Sequence, residues 1–433
     1  MTIGQDMHDF AKLLWPINRS ITGDGVRATL GEIKKLLPDL GVSEVKTGTT
    51  AFDWVVPREW RVRDAYIITP SGEKICDFKK NNLHLVGYST PICSELSLKE
   101  LQNHLHSQED QPTAIPYVTS FYQERWGFCI KHDDRVNLKD GIYTVFIDSE
   151  LFNGSLTYGE FIIKGELSEE ILISTYVCHP SMANNELSGP VVATFIAKWL
   201  IENQKNRYTY RFIFIPETIG SILYLSKNKD HLKKLVIAGF VLTCIGDNRN
   251  YSYLPSRNGS TLSDYAAKHI LKFTHPQYKS YHWSDRGSDE RQFCSPGIDL
   301  PIASMMRTKY GTYPEYHTSL DDLENVVTPD GLQGGYNIIK NTLIALEKNQ
   351  YPLINTFCEP HLGKRGLYPT LSKKGSWVDS ALMMDLITWS DGSKSLLEIA
   401  EICNVPIWEL YPIIDKLSRN SLLKLYNKPS PFN

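Results

Sequence analysis

Four short segments of the chain carry residues able to hold a metal ion and activate water beside it. Cys178-His179-Pro180-Ser181, followed by Asn184-Asn185-Glu186-Leu187-Ser188-Gly189, sets an imidazole ahead of amide and carboxylate groups. Pro216-Glu217-Thr218 offers a carboxylate and Gly246-Asp247 a second. Glu315-Tyr316-His317-Thr318-Ser319 adds another imidazole, with Asp321 and Asp322 beyond it. Two histidines plus carboxylates converging from separate loops are a usual donor set for a zinc hydrolase, in which the metal activates water and a carboxylate accepts its proton. A histidine after a strand is more often a satisfied structural group than a ligand. It is the agreement of four segments that carries the reading.

Each segment follows an apolar run. Residues 171–177, 210–215, 238–245 and 301–306 read as strands covered on both faces. Helical patterns follow at 191–202, 221–227 and 331–348. This alternation predicts an α/β fold with a doubly wound, mostly parallel sheet, whose ligands bind beyond the carboxyl ends of the strands. Residues 5–37 read as two short helices about a turn at 20–25. From 46 to 145 the texture changes to alternating, aromatic and β-branched stretches at 51–56, 65–68, 83–88 and 141–147. That predicts a small β-rich insert within an α/β domain of residues 1–45 and 146–350. Its aromatic segments Thr119-Ser120-Phe121-Tyr122 and Trp126-Gly127-Phe128-Cys129 read either as packed core or as a wall or lid over a pocket. Residues 351–370 read as loop. Helical patterns at 381–389, 395–403 and 406–417 and a strand at 422–426 then complete a winged helix-turn-helix within residues 351–433.

The order His179, Asn185-x-x-Ser188-Gly189, Glu217, Asp247, Tyr316-His317-Thr318 resembles that of the zinc aminopeptidases, whose superfamily also includes the glutaminyl cyclases. Ser288-Asp289-Glu290-Arg291-Gln292-Phe293 with Gly297-Ile298, and Tyr316-His317-Thr318-Ser319-Leu320-Asp321, are the most specific pieces of a match over residues 165–350. Arg19-Ser20-Ile21-Thr22-Gly23, and Glu359-Pro360-His361 with Gly366-Leu367-Tyr368-Pro369, are similar to a bacterial subgroup of aminopeptidase-like proteins. That subgroup includes proteins encoded near polysaccharide-biosynthesis enzymes and has a β insert and a C-terminal winged helix. The resemblance implies the zinc-exopeptidase (phosphorylase/hydrolase-like) fold. It implies metal ligands at His179, Asn185, Asp247 and His317, and a general base at Glu217, which could instead be a ligand. Glu186, Asp289, Arg307 and Tyr316 would support the site or bind substrate. Three positions depart from the family pattern. Asn185 stands where an aspartate bridges two ions, and a neutral amide offers one good acceptor and no charge. Thr218 replaces the second glutamate of a Glu-Glu pair. Thr243 falls at the usual position of the next aspartate, with Asp247 just past it. One zinc ion is therefore favoured over two.

The 433 residues, 42% hydrophobic and 22% charged, describe a soluble globular chain of two or three domains. A net charge of −3 does not favour nonspecific capture by nucleic acid or anionic membrane. The N-terminus lacks a signal-peptide pattern, no run reaches the roughly 20 apolar residues of a membrane span, and the eight scattered cysteines suit reduced thiols. A cytoplasmic location is expected. The expected function is a metallopeptidase acting as an aminopeptidase on small peptides or related amides. The alternatives are an amide hydrolase acting on a modified sugar in polysaccharide biosynthesis, and a catalytically decayed binding or regulatory protein. The winged helix has mixed charges and no dense basic stripe, so a structural or protein-docking role is expected rather than DNA binding. A homo-oligomer is compatible with all of this.

Overall fold

The computed structural model describes residues 2–121, 123–203, 205–367 and 378–430; Tyr122, Tyr368 and Pro369 of the segments named above lie outside them. Eight strands form the central sheet: β1 Gly41–Lys46, β2 Ser155–Ile163, β3 Glu170–Tyr176, β4 Thr209–Ile215, β5 Val236–Val241, β6 Ser252–Leu254, β7 Lys279–Ser280 and β8 Ile302–Met306. Their order is β1-β2-β4-β3-β5-β8-β6-β7. The central four, β4, β3, β5 and β8, are parallel. Every residue of β3, β4 and β8 is buried, which is why their sequences are continuous apolar runs and not alternating ones. Antiparallel β1 and β2 extend one edge.

The crossover from β3 to β4 runs through a π-helical turn, Ala183–Leu187, and the helix Ser188–Glu202. Glycine is required at the start of that helix. A Cβ on Gly189 would lie 2.3 Å from the Leu242 carbonyl oxygen and 2.4 Å from Thr175 Oγ1. The helix therefore begins pressed against the ends of the strands, and the loop before it is held over them. The expected helix at 221–227 is longer, Ile219–Leu235, because its polar outer face continues the turns after the apolar stripe ends.

The insert holds a four-stranded antiparallel sheet in the order Lys74–Ile75, Glu59–Ile68, Ile142–Phe152, Ile92–Ser97. Trp60, Tyr88, Phe128 and Tyr143 pack in its core. Two expected strands there differ. Residues 50–55 form a hairpin, Thr50–Ala51 against Trp54–Val55, that turns at Phe52 with φ 54°. Residues 82–84 form a 3-10 turn, because the Asn81 side chain accepts the Leu83 N–H and draws the backbone out of a strand.

By compactness the chain divides into residues 1–263 with 279–337, and 264–278 with 338–433. In the second unit the helices Val378–Trp389, Leu396–Cys403 and Tyr411–Arg419 accompany an antiparallel pair, Tyr351–Ile354 with Leu423–Tyr426. The start of the expected 351–370 loop is thus a strand. Pro352 is tolerated in it because an edge strand of a two-stranded ribbon does not need every N–H for its ladder. Ser395 and Glu398 form a capping box that starts the helix Leu396–Cys403, and left-handed Asn404 ends it. Among the described residues no helix is long and apolar enough to cross a membrane.

Candidate metal centre

His179 leaves β3 at the carboxyl edge of the sheet and is bracketed on one side. Glu186 Oε2 accepts both the His179 backbone N–H and its Nδ1, each at 3.1 Å. The charge of Glu186 is balanced by Arg19, whose Nε lies 3.2 Å from Oε1 and also donates to the His179 carbonyl at 3.0 Å. Arg19 and Glu186 are both fully buried. Cys178 Sγ lies 3.5 Å from Nδ1, so the three side-chain atoms of Cys178, His179 and Glu186 fall within 4.8 Å of one another. Their commitments identify this trio as support for the ring and not as an ion cage. Cys178 Sγ accepts the Glu217 N–H at 3.1 Å, burial lifts its thiol pKa to about 11, and Arg19 already neutralises Glu186. A carboxylate on one imidazole nitrogen leaves the other to face a cation, the usual arrangement of a metal-binding histidine.

The free nitrogen, Nε2, lies 3.5 Å from Glu217 Oε2. Burial raises the Glu217 pKa, against the pull of His179 and Arg291. The next residue, Thr218, has φ 64° and ψ −74°, and Ile219 N donates to the Glu217 carbonyl at 2.8 Å. This is a classic γ-turn, a rare and strained conformation for a β-branched residue. Asp289 holds it by accepting Thr218 N and Ser221 Oγ, both at 2.8 Å. The Thr218 hydroxyl in turn accepts from Arg291 at 2.8 Å. Burial and the nearby Glu217 raise the Asp289 pKa to about 7.

His317, also in a left-handed conformation at φ 58°, brings its ring to 5.7 Å from that of His179. Burial and the neighbouring His179 push its pKa down to about 3, so it is a neutral imidazole and a ready ligand. Tyr316 stacks on it at 3.9 Å. Tyr117, from the insert, stands edge-on to both histidines at 5.3 and 5.2 Å. Its backbone N–H donates to the His317 carbonyl at 2.9 Å, and Pro116 bridges Thr318. The insert therefore walls the histidine pair through Tyr117.

Asn185 reaches the same carboxyl edge. Its backbone N–H and that of Asn184 are clasped by Asp321 at 3.0 and 2.7 Å, and its Nδ2 donates to the Tyr176 hydroxyl at 2.9 Å. Asn185 Oδ1 is buried with no protein partner. An orphaned amide oxygen is an acceptor that suits a divalent cation, and its residue is joined through Tyr176 to the His179 ring, 5.1 Å from the Tyr176 ring.

Asp247 and Arg307 are otherwise engaged. Asp247 accepts from Asn184 Nδ2, the Thr308 N–H and hydroxyl, and the Arg249 N–H, at 2.6–3.0 Å. Arg307 lies over the Tyr251 ring and donates to the carbonyls of Asn250 and Gly331. The structure thus brings His179, Glu217, His317, Asn185, Glu186, Asp289 and Tyr316 into one site and shows Asp247 and Arg307 tying loops. Sequence reasoning did not single out Cys178, Tyr176, Tyr117 or Arg291. Cys178 opens the first histidine segment and Tyr176 lies two residues before it, and their adjacency to His179 was the available signal. Tyr117 had none, since it arrives from 62 residues upstream of His179.

Comparison with known proteins places the fold. Residues 8–349 match a family model described as a domain of unknown function, DUF4910, and residues 349–425 match a winged helix-turn-helix model. A Clostridium acetobutylicum protein, provisionally named as a polysaccharide biosynthesis protein with an aminopeptidase-like domain, is 44% identical over 98% of this chain and 96% of its own. A crystal structure from the same organism, provisionally described as a peptidase, superposes with a TM-score of 0.92 at 44% identity, covering 98% of this chain and 96% of that one. The zinc aminopeptidase of Bacillus subtilis shares the fold at a TM-score of 0.58 and 13% identity, over 79% of this chain and 94% of its own. The chain belongs to the DUF4910 family, an aminopeptidase-like α/β domain followed by a winged helix.

Proposed function

We propose that the chain is a zinc-dependent hydrolase with one ion per site, removing N-terminal residues from small peptides or cleaving a related amide. One observation carries the reading: Glu186 fixes His179 Nδ1 while Nε2 faces Glu217 at 3.5 Å, with neutral His317 alongside. His179, His317 and Asn185 would hold the ion, with Glu217 at its edge. Zinc bound there would polarise the scissile carbonyl and lower the pKa of water.

The chain's own groups do the rest. Glu217 takes a proton from the attacking water and delivers it to the leaving nitrogen, and its raised pKa suits both transfers. The γ-turn at Thr218 and its Asp289 clasp hold that carboxylate in place. Tyr117 and Tyr316 cover the imidazoles and exclude bulk water. A second reading, hydrolysis of an amide on a modified sugar, is favoured by the polysaccharide-biosynthesis name of the Clostridium relative.

Zinc-loaded protein tested on leucyl-p-nitroanilide and on N-acetylated hexosamines separates the two. Release of nitroaniline, lowered about 10²–10⁴-fold in Glu217→Gln with zinc retained, supports the aminopeptidase reading. Acetate release without nitroaniline supports the sugar amide. Zinc binding with turnover of neither contradicts hydrolysis.

A further inference from the structure

Asn185 and Thr243, which stand where the aminopeptidase pattern would supply aspartates, close a ring of hydrogen bonds with Tyr176. Asn185 Nδ2 lies 2.9 Å from the Tyr176 hydroxyl, that hydroxyl 2.6 Å from Thr243 Oγ1, and Thr243 Oγ1 3.1 Å from the Asn185 carbonyl oxygen. All three residues are buried. The ring joins the last residue of β3, the turn after it and the segment just past the end of β5, so it is assembled by the fold and not by neighbours in sequence.

Counting protons orients the amide. Thr243 has one hydroxyl proton, and the Asn185 carbonyl is a better acceptor for it than the Cys244 thiol at 3.5 Å. Thr243 oxygen must then accept from Tyr176, which uses the only proton of that phenol. Tyr176 oxygen is left to accept, and the group facing it must be the amide NH2 of Asn185. The Asn185 oxygen therefore points away from the ring, where it is buried and has no partner. The Tyr176 ring itself lies 5.1 Å from the His179 ring.

We infer that Tyr176 and Thr243 are positioning residues that lock the Asn185 amide with its oxygen outward as a neutral metal ligand. This rests on the proposal of a metal centre at His179 and His317, and it deepens that proposal. The ring is also consistent with the one ion proposed above. Thr243 is turned inward and donates its proton to the backbone, so neither it nor Asn185 presents the bridging carboxylate that a second cation needs. A site with a neutral oxygen donor in place of a carboxylate leaves more positive charge on the ion, and so favours its polarising role.

The test is zinc affinity of the full chain by competition with a chromophoric chelator, together with the visible absorption of the cobalt-substituted protein. The variants are Tyr176→Phe, Thr243→Val, Asn185→Ala and Asn185→Asp, each checked for native circular dichroism. Tyr176→Phe and Thr243→Val are expected to weaken zinc binding about 10–100-fold, as loss of groups that orient a ligand does. Asn185→Ala should weaken it at least as much and shift the cobalt bands, and Asn185→Asp should restore binding relative to Asn185→Ala. If zinc binding depends on His179 and His317 but neither the affinity nor the cobalt spectrum changes in Asn185→Ala and Tyr176→Phe, the inference falls while the proposed function stands. Failure of the unaltered chain to take up zinc overturns both.

Discussion

Glu186→Gln is the most informative single substitution. It keeps the side chain's size and removes its charge, and three donor groups of two residues, Arg19 and His179, depend on that charge. Arg19, 1% exposed, would retain only neutral acceptors, the Leu14 carbonyl at 2.8 Å, the His179 carbonyl at 3.0 Å and the Thr29 hydroxyl at 3.5 Å. Breaking a buried ion pair by removing one partner costs about 3–5 kcal/mol, because the remaining charge stays uncompensated. The amide oxygen can keep both hydrogen bonds from His179 only with its NH2 turned against the Arg19 guanidinium, and the clash of donors favours the flipped orientation, in which both bonds are lost. The imidazole then loses its fixed tautomer, and zinc affinity should fall by about 10–100-fold. Denaturant titration of the metal-free chain measures the first effect, and chelator competition the second. The double variant Arg19→Met with Glu186→Gln should recover more than half of the stability, since no buried charge is left, but none of the zinc affinity. A stability loss under about 1 kcal/mol in Glu186→Gln, with unchanged zinc affinity, would refute the bracket.

Further expectations concern backbone strain, pH and nucleic acid. Thr218→Gly should raise stability by about 1 kcal/mol in denaturant titration by relieving the γ-turn, while lowering turnover because Glu217 is less fixed; destabilisation would show that the turn is not strained. His269, in the second unit, has its pKa lowered by burial against the pull of Glu401, and its Nε2 accepts the Ile407 N–H at 2.9 Å. An imidazolium has no acceptor, so this stability is present above the unfolded value of about 6.5 and is lost as pH falls through the lowered folded value. Hydrogen exchange at the Ile407 amide, corrected for intrinsic rate, should therefore speed up between pH 7.5 and 5.5, and a constant corrected rate would contradict the assignment. The winged helix, whose segment 406–417 carries Glu409 and Asp415 against Lys416, should show no salt-sensitive binding to duplex DNA in fluorescence anisotropy; such binding would reverse the docking role proposed for it.

The parallel strands were legible because burial on both faces forces continuous apolar runs. The site followed, since ligands gather where those runs end. What periodicity does not encode was harder to read. The strand Tyr351–Ile354 depends on pairing with residues 423–426, remote in sequence. Residues 82–84 turn because of one asparagine side chain. Asp247 stood at a strand end like the others, yet Thr308 and Asn184 occupy its oxygens, a fact fixed by loops remote in sequence. The departures at Asn185, Thr218 and Thr243 were visible as residue types. Their consequences were not, because the closed ring with Tyr176 and the γ-turn held by Asp289 exist only once separate strands are adjacent.

The account stands most directly on metal content. Elemental analysis of the full chain, purified without chelator or metal-affinity resin and then supplied with zinc, should find one zinc per chain, lost in His179→Ala and in His317→Ala. Two ions per chain would contradict the single-ion centre, and none would contradict the metal hydrolase itself.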